Sequence, residues 1–157
     1  MKNFVVWEGS LIRPKHFKYF LGKMDKRIII ESDLGNIKHA VGQVRNILEQ
    51  VGADESDIFD IRLCLVEALI NAIKYGNKFN KTEKVQIDFN YKDAKVTLSV
   101  KDNGGGFDLS AIPDCTSDEN ILKGSGRGIF LIQHLMDELK SNKQGNRLIM
   151  IKHLKLK

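Results

Sequence analysis

The chain has 157 residues, of which 42% are hydrophobic and 29% charged, the makeup of one soluble globular domain able to bury roughly two-thirds of its unfolded surface. Apolar runs as short as Ile28-Ile29-Ile30 exclude a membrane span, and Arg13, Lys15 and Lys18 break any stretch of signal-peptide length. The net charge of +5 sits in the first 27 residues, which hold seven basic and two acidic side chains, so the remainder is neutral and a basic pI does not by itself point to nucleic acid.

That basic leader, residues 1–27, also carries Phe4, Trp7, Phe17, Tyr19 and Phe20. It is suited to stacking on bases or lying on lipid, or, more simply, to packing its aromatics on the domain or on a second subunit. From residue 28 to 157 the periodicities predict a single domain. Arg27–Glu31 reads as a strand rich in β-branched residues. Ser32, Asp33 and Asn36 offer N-caps to a helix whose apolar positions run Ile37, Ala40, Val41, Val44, Ile47, Leu48 and Val51, with Gly52 to close it. A second helix is predicted from Ser56 or Asp57 to about Gly76 on Ile58, Ile61, Leu65, Ala68, Leu69, Ala72 and Ile73. Two strands, Lys84–Tyr91 and Lys95–Val100, follow around the turn Lys92-Asp93-Ala94. Residues 103–128 form a glycine-containing connection of a length that is usually functional. A helix on Ile129, Ile132, Leu135 and Met136, a strand at Leu139–Asn142, a turn at Gln144-Gly145-Asn146 and a strand at Arg147–Leu154 complete the pattern. Helices before a run of antiparallel strands predict an α+β two-layer sandwich. Cys64 and Cys115 lie far apart without metal-ligand spacing, which argues against a zinc site or a disulfide framework and for a reduced, cytoplasmic compartment; Cys64 reads as core.

Three segments carry candidate chemistry. Glu67, Asn71 and Lys74 fall at i, i+4 and i+7, so a regular helix puts a carboxylate, an amide and an ammonium on one stripe, suited to a base, a Mg²⁺ ligand and a phosphate clamp. A solvated helix face gives the same pattern. Asp102-Asn103-Gly104-Gly105-Gly106-Phe107-Asp108 follows a strand; its glycines admit close backbone approach and Asp102 is a pure acceptor, suited to an amino group such as adenine N6, while a plain Asn-Gly turn reads the same way. Gly124-Ser125-Gly126-Arg127-Gly128 opens the helix at Ile129, where free N–H groups favour an anion. It lacks the Gly-Lys-Ser/Thr of a P-loop and is a poor dinucleotide fingerprint.

In this order the three segments resemble the N box and two G boxes of the GHKL superfamily of ATPases, which has the Bergerat fold: a two-layer sandwich with a mixed, mostly antiparallel sheet and helices on one face. Pro113-Asp114-Cys115-Thr116, Glu119-Asn120 and Ser125-Gly126-Arg127-Gly128-Ile129-Phe130-Leu131 narrow the resemblance to the bacterial anti-sigma-factor serine/threonine kinases, over about residues 28–154. The resemblance implies ATP and Mg²⁺, with Glu67 as general base and Asn71 as Mg²⁺ ligand. Asp102 would read the adenine amino group, Gly104 and Gly106 would allow close approach, and Gly124, Ser125, Gly126, Arg127 and Gly128 would shape the loop over the phosphates. Lys74 is implied at phosphate and Tyr75 on adenosine, although an exposed lysine and a half-buried tyrosine explain them equally. Two positions depart from the pattern: Asn146 replaces a threonine that supports the adenine site, and Cys115 a lid proline. The partners implied are a small STAS-like anti-sigma-factor antagonist, a sigma factor and a second copy of the chain, with no membrane and no nucleic acid. Competing readings are an ATP-ordered binding module without kinase activity, a detached histidine-kinase catalytic domain, and a nucleic-acid binder using the leader. None of the four histidines is followed by an acidic residue, which speaks against a phosphoacceptor histidine.

Overall fold

The computed structural model describes residues 5–7, 10–12, 22–111 and 126–157. Val5–Trp7 (β1) and Ser10–Ile12 (β2) pair as a small antiparallel hairpin. The main sheet has five strands: Lys23–Glu31 (β3), Lys84–Lys92 (β4), Lys95–Lys101 (β5), Glu138–Ser141 (β6) and Arg147–His153 (β7), in the order β3-β4-β5-β7-β6. Every pairing in it is antiparallel, so the expected mixed sheet has no parallel member among the described residues. β3 starts at Lys23, ahead of the expected Arg27. Lys23, Asp25, Lys26 and Arg27, counted above with the leader, are therefore part of the sheet's edge.

Period-2 alternation supplies one apolar face. Ile28 pairs with Ile87 and that with Val100; Ile30 pairs with Val85; Phe89 pairs with Leu98 and that with Met150. All are buried. The other face carries polar residues, among them Asp88, which accepts hydrogen bonds from Arg27 Nε at 2.6 Å and Arg147 Nη1 at 3.0 Å.

Three helices cover the apolar face: Ile37–Gln50 (α1), Glu55–Asn71 (α2) and Arg127–Leu135 (α3). The seven apolar positions predicted for α1 are all buried, and Gly52, at φ +79°, closes the helix in the left-handed region that a side chain disfavours. Its start differs from expectation. Asp33 caps the short 3-10 turn Leu34–Asn36 through Gly35 N–H, and Asn36 makes no side-chain cap. α2 likewise starts earlier, capped by Asp54, whose Oδ1 accepts from Asp57 N–H at 3.0 Å. Ile61, Leu65 and Leu69 on its inner stripe are fully buried, each a contribution of about 1.5–3 kcal/mol.

A cluster of charged groups lies inside this layer. Lys152 has the inward parity of Leu148 and Met150 on β7, and its Nζ meets Asp60 Oδ2 at 3.1 Å on α2 and donates to the Leu135 carbonyl at 2.6 Å, at the end of α3. Asp57, 2% exposed, lies 3.9 Å from the same Nζ and accepts the Lys155 N–H at 2.6 Å. The cluster fixes α2, α3 and the last strand to one another, and with them the two ends of the candidate site.

Candidate nucleotide site

The site forms where α2 ends, β5 ends and α3 begins. α2 does not run straight to Gly76: after Asn71 the chain winds into a π turn, Ala72–Gly76, with Asn77 N–H donating to the Ala72 carbonyl at 2.8 Å. Glu67 and Asn71 keep the helical spacing that puts them on one side. The wider π winding takes Lys74 out of that register. Its ammonium is exposed and stands 5.1 Å from the ring centroid of Tyr75, which is itself 60% exposed. The predicted three-residue stripe is thus a pair, with Lys74 and Tyr75 on the outer surface beside it.

Glu67 and Asn71 face the first turn of α3. Gly126 adopts φ +82° and leads into the helix at Arg127. A Cβ on Gly128 would lie 2.6 Å from Glu67 Oε2 and 3.6 Å from Asn71 Nδ2. The two side chains are therefore packed against a bare helix N-terminus, whose outward N–H groups attract anions. Among the described residues, no hydrogen bond or ion pair engages the Glu67 carboxylate or the Asn71 amide. Gly124 and Ser125, together with Pro113 and Cys115, lie outside the described residues. Arg127 is exposed.

Asp102 follows the last residue of β5, as the sequence predicts. Its N–H donates to the Asn146 carbonyl at 3.0 Å and its Oδ1 accepts the Gly104 N–H at 2.7 Å. Gly76 lies against its carboxyl group, where a Cβ would come within 2.6 Å of Oδ1, and Gly104 lies against the Gly76 carbonyl. Burial raises the Asp102 pKa above the usual carboxylate range, and the Gly104 hydrogen bond only partly offsets it. Gly106, at φ +81°, and Gly145, at φ +72°, press the next part of the loop onto the β6–β7 turn, with the Phe107 N–H donating to the Gly145 carbonyl at 3.1 Å. Asn146 stands beside Asp102, but its side-chain oxygen accepts from Asn142 Nδ2 at 2.8 Å, so its amide is engaged within the turn. An open groove of about 680 Å³ runs between residues 105–110 and 141–145, beside this loop and away from Glu67 and Asn71.

Two residues that the sequence did not single out hold these parts together. One is Gly76. The other is Asn77, 5% exposed, whose amide nitrogen donates to Ser32 Oγ at 2.8 Å and to the Lys84 carbonyl at 3.1 Å, while its oxygen accepts the Asn103 N–H at 2.8 Å. A polar side chain at the end of a predicted helix reads as an ordinary turn residue, and only its burial distinguishes it.

The donor set suits a nucleotide bound through Mg²⁺. A carboxylate and an amide oxygen are hard ligands placed at a helix N-terminus, and the glycines remove the Cβ atoms that would fill the space between them. Comparison with known proteins bears on the fold and on ATP. Residues 30–152 match the histidine kinase-like ATPase domain. The chain is 34% identical over 117 residues to the serine-protein kinase RsbW of Staphylococcus aureus strains JH9 and Newman, over 69% of this chain and 74% of theirs. The fold matches a crystal structure of the RsbU and RsbW domains of a Mycobacterium tuberculosis protein with a TM-score of 0.59 at 19% identity, over 85% of this chain and 32% of that longer one. Among the described residues no helix is long and apolar enough to cross a membrane. An ATPase domain of this type implies ATP binding, and the chain belongs to the histidine kinase-like ATPase superfamily, in its branch of anti-sigma-factor serine kinases.

Proposed function

We propose that the chain is a Mg²⁺-ATP-dependent protein serine/threonine kinase and anti-sigma factor that phosphorylates a small STAS-like antagonist and sequesters a sigma factor. In this reading it works in the cytoplasm as a homodimer, with residues 23–157, from the start of β3, as the ATP-binding unit. The observation that carries the proposal is the packing of Glu67 and Asn71 against Gly128 at the start of α3. It leaves a carboxylate suited to accept a proton and an amide suited to bind a metal one helical turn apart at an anion-attracting terminus.

Each residue then has a task. Asn71 would hold Mg²⁺ through its side-chain oxygen, and the metal would neutralise phosphate charge when bound. Asp102 accepts a hydrogen bond from the adenine amino group. The N–H groups around Gly124, Ser125, Gly126, Arg127 and Gly128 surround the phosphates. Glu67 takes the proton of the incoming serine hydroxyl as its oxygen forms a bond to the γ-phosphorus, and the bond to the bridging oxygen breaks to release ADP. Phosphoryl transfer rests mainly on positioning and charge stabilisation, which a constellation this small supplies. The relatives named serine-protein kinase support this reading.

The test is incubation with γ-labelled ATP and an antagonist protein shown separately to bind the chain. Label on a serine or threonine of the antagonist, lost on chelating Mg²⁺, is the expected result. A bound antagonist that never acquires label overturns the kinase reading and leaves an ATP-ordered binding module.

A further inference from the structure

We infer that Asn77 is a positioning residue for adenine selectivity, acting through the backbone of the loop that carries Asp102. The inference rests on the reading of Asp102 as the adenine-selective carboxylate and adds to it the device that holds this carboxylate in place.

A carboxylate reads one amino group only if it is held to within a fraction of an ångström, and a loop rich in glycine has little stiffness of its own. β5 supplies one anchor, the Asp102 N–H to the Asn146 carbonyl. Gly76 and Gly104 allow close packing around the carboxyl group but do not bond the loop to the rest of the fold. The second anchor is Asn77. Its oxygen takes the N–H of Asn103, the residue directly after Asp102, and both of its amide hydrogens are spent on the main sheet's ends: one on Ser32 Oγ, just after β3, the other on the carbonyl of Lys84, the first residue of β4. Ser32 Oγ in turn donates to the Glu83 carbonyl at 2.9 Å, so the amide cannot rotate without breaking a buried network. Asn103 adds a bond from its own side chain to Glu83 at 2.5 Å, on the same stretch before β4. The loop is thus tied on one side to the turn before β7 and on the other to the entrance of β4.

The local backbone agrees with such a role. The π turn Ala72–Gly76 delivers Asn77 into the interior, and the two residues after it, Lys78 at φ +51° and Phe79 at φ +59°, both occupy the left-handed region. Neither is glycine, and each such residue costs about 1–3 kcal/mol. The chain accepts consecutive unfavourable conformations directly beside the residue that bridges the helix end, two strands and the candidate adenine loop. A π segment and strained backbone at one point are the usual marks of a functional constraint.

The experiment compares affinity for ATP with affinity for inosine triphosphate, which shares the phosphates and ribose but lacks the amino group. Two variants remove the same hydrogen bond from opposite sides: Asn77→Ala deletes the acceptor, together with the bonds to Ser32 and Lys84, and Asn103→Pro deletes the N–H, together with the side-chain bond to Glu83. Each is expected to lower the ATP-to-inosine-triphosphate affinity ratio by about tenfold, and the double variant to lower that ratio no further than either single one, since the bond from Asn103 N–H to Asn77 Oδ1 is the one tie to the loop that both remove. Should Asn77→Ala fail to fold, Asn103→Pro carries the same readout at a site that leaves the buried amide intact. An unchanged ratio with reduced thermal stability would show a purely structural role and overturn the inference. A wild-type chain that does not distinguish the two nucleotides would remove the adenine reading itself, and the inference with it.

Discussion

Gly76, at the end of the π turn, and Asp102, at the end of β5, meet backbone to carboxyl group, with no room for a Cβ between them. This contact joins two sequence segments that are 26 residues apart and is part of the burial that raises the Asp102 pKa.

A prediction about pH follows from the direction of that shift. The folded-state pKa lies above the unfolded value, so ionised Asp102 costs the folded state stability. In the nucleotide-free protein the penalty is absent at acid pH and grows as pH rises from the ordinary carboxylate range through the raised folded value. ATP selectivity has the opposite sense, since only the ionised carboxyl is a pure acceptor. Asp102→Asn is therefore expected to raise the melting temperature of the free protein near neutral pH while weakening ATP by about 1.5–3 kcal/mol, as measured by calorimetry. Equal ATP affinity in wild type and variant would sink the assignment.

Cys64 should be chemically silent in the native state. It is fully buried on α2, and its thiol is pushed up to about 12, first by burial and then by Asp60, against the opposing charge of Lys152. Thiolate, not thiol, is the nucleophile, so iodoacetamide at pH 8 should label Cys64 only under unfolding conditions. Rapid native labelling at Cys64, located by peptide mapping, would show that α2 opens locally.

How far the sequence reveals this protein depends on the kind of signal. The buried face of α1 is legible to the residue because an amphipathic helix writes it at a fixed period, and Ile37 to Val51 follow it. Asp102 is legible because it stands at the end of an alternating strand just before glycines. The π turn is not, since one widened turn leaves no period of its own, and with it goes the placement of Lys74. Asn77 is hidden for a related reason: its role depends on Ser32 and Asn103, which are remote in sequence, and nothing local marks an asparagine as buried. Lys152 looks like any polar residue of an alternating strand, yet β7 has isoleucines on its other face at 149 and 151, so alternation alone does not say which side is inward.

Lys152 supports a third prediction. With Asp57 and Asp60 beside it and the Leu135 carbonyl on its ammonium, it neutralises charge that has little access to water. Lys152→Met keeps the length of the side chain and strands both carboxylates, an arrangement that costs about 3–5 kcal/mol when a buried partner is removed. Urea denaturation should show this loss in full. If stability falls by less than about 1 kcal/mol, the cluster is effectively solvated and pins nothing.

The last prediction concerns Glu67 and the glycine in front of it. Glu67→Gln preserves shape and removes the proton acceptor, so ATP should still bind while transfer to a protein serine falls by about 10²–10⁴-fold. Gly128→Ala should imitate it by another route. Gly128 has no left-handed backbone requirement, and alanine is favoured over glycine within a helix by about 1 kcal/mol, so the fold should be retained or stabilised. The new Cβ would nevertheless stand 2.6 Å from Glu67 Oε2, and the flexible carboxylate rather than the backbone would move. Asn71, at an ordinary 3.6 Å, would stay in place, so Mg²⁺-dependent ATP binding should survive. Transfer alone should drop, and adding Gly128→Ala to Glu67→Gln should cost nothing further, because both act on the same proton acceptor. Single-turnover assays with labelled ATP measure all three variants against wild type. If the two losses instead multiply, Gly128 acts on the phosphates independently, and the carboxylate is not the group that the bare helix start serves to position.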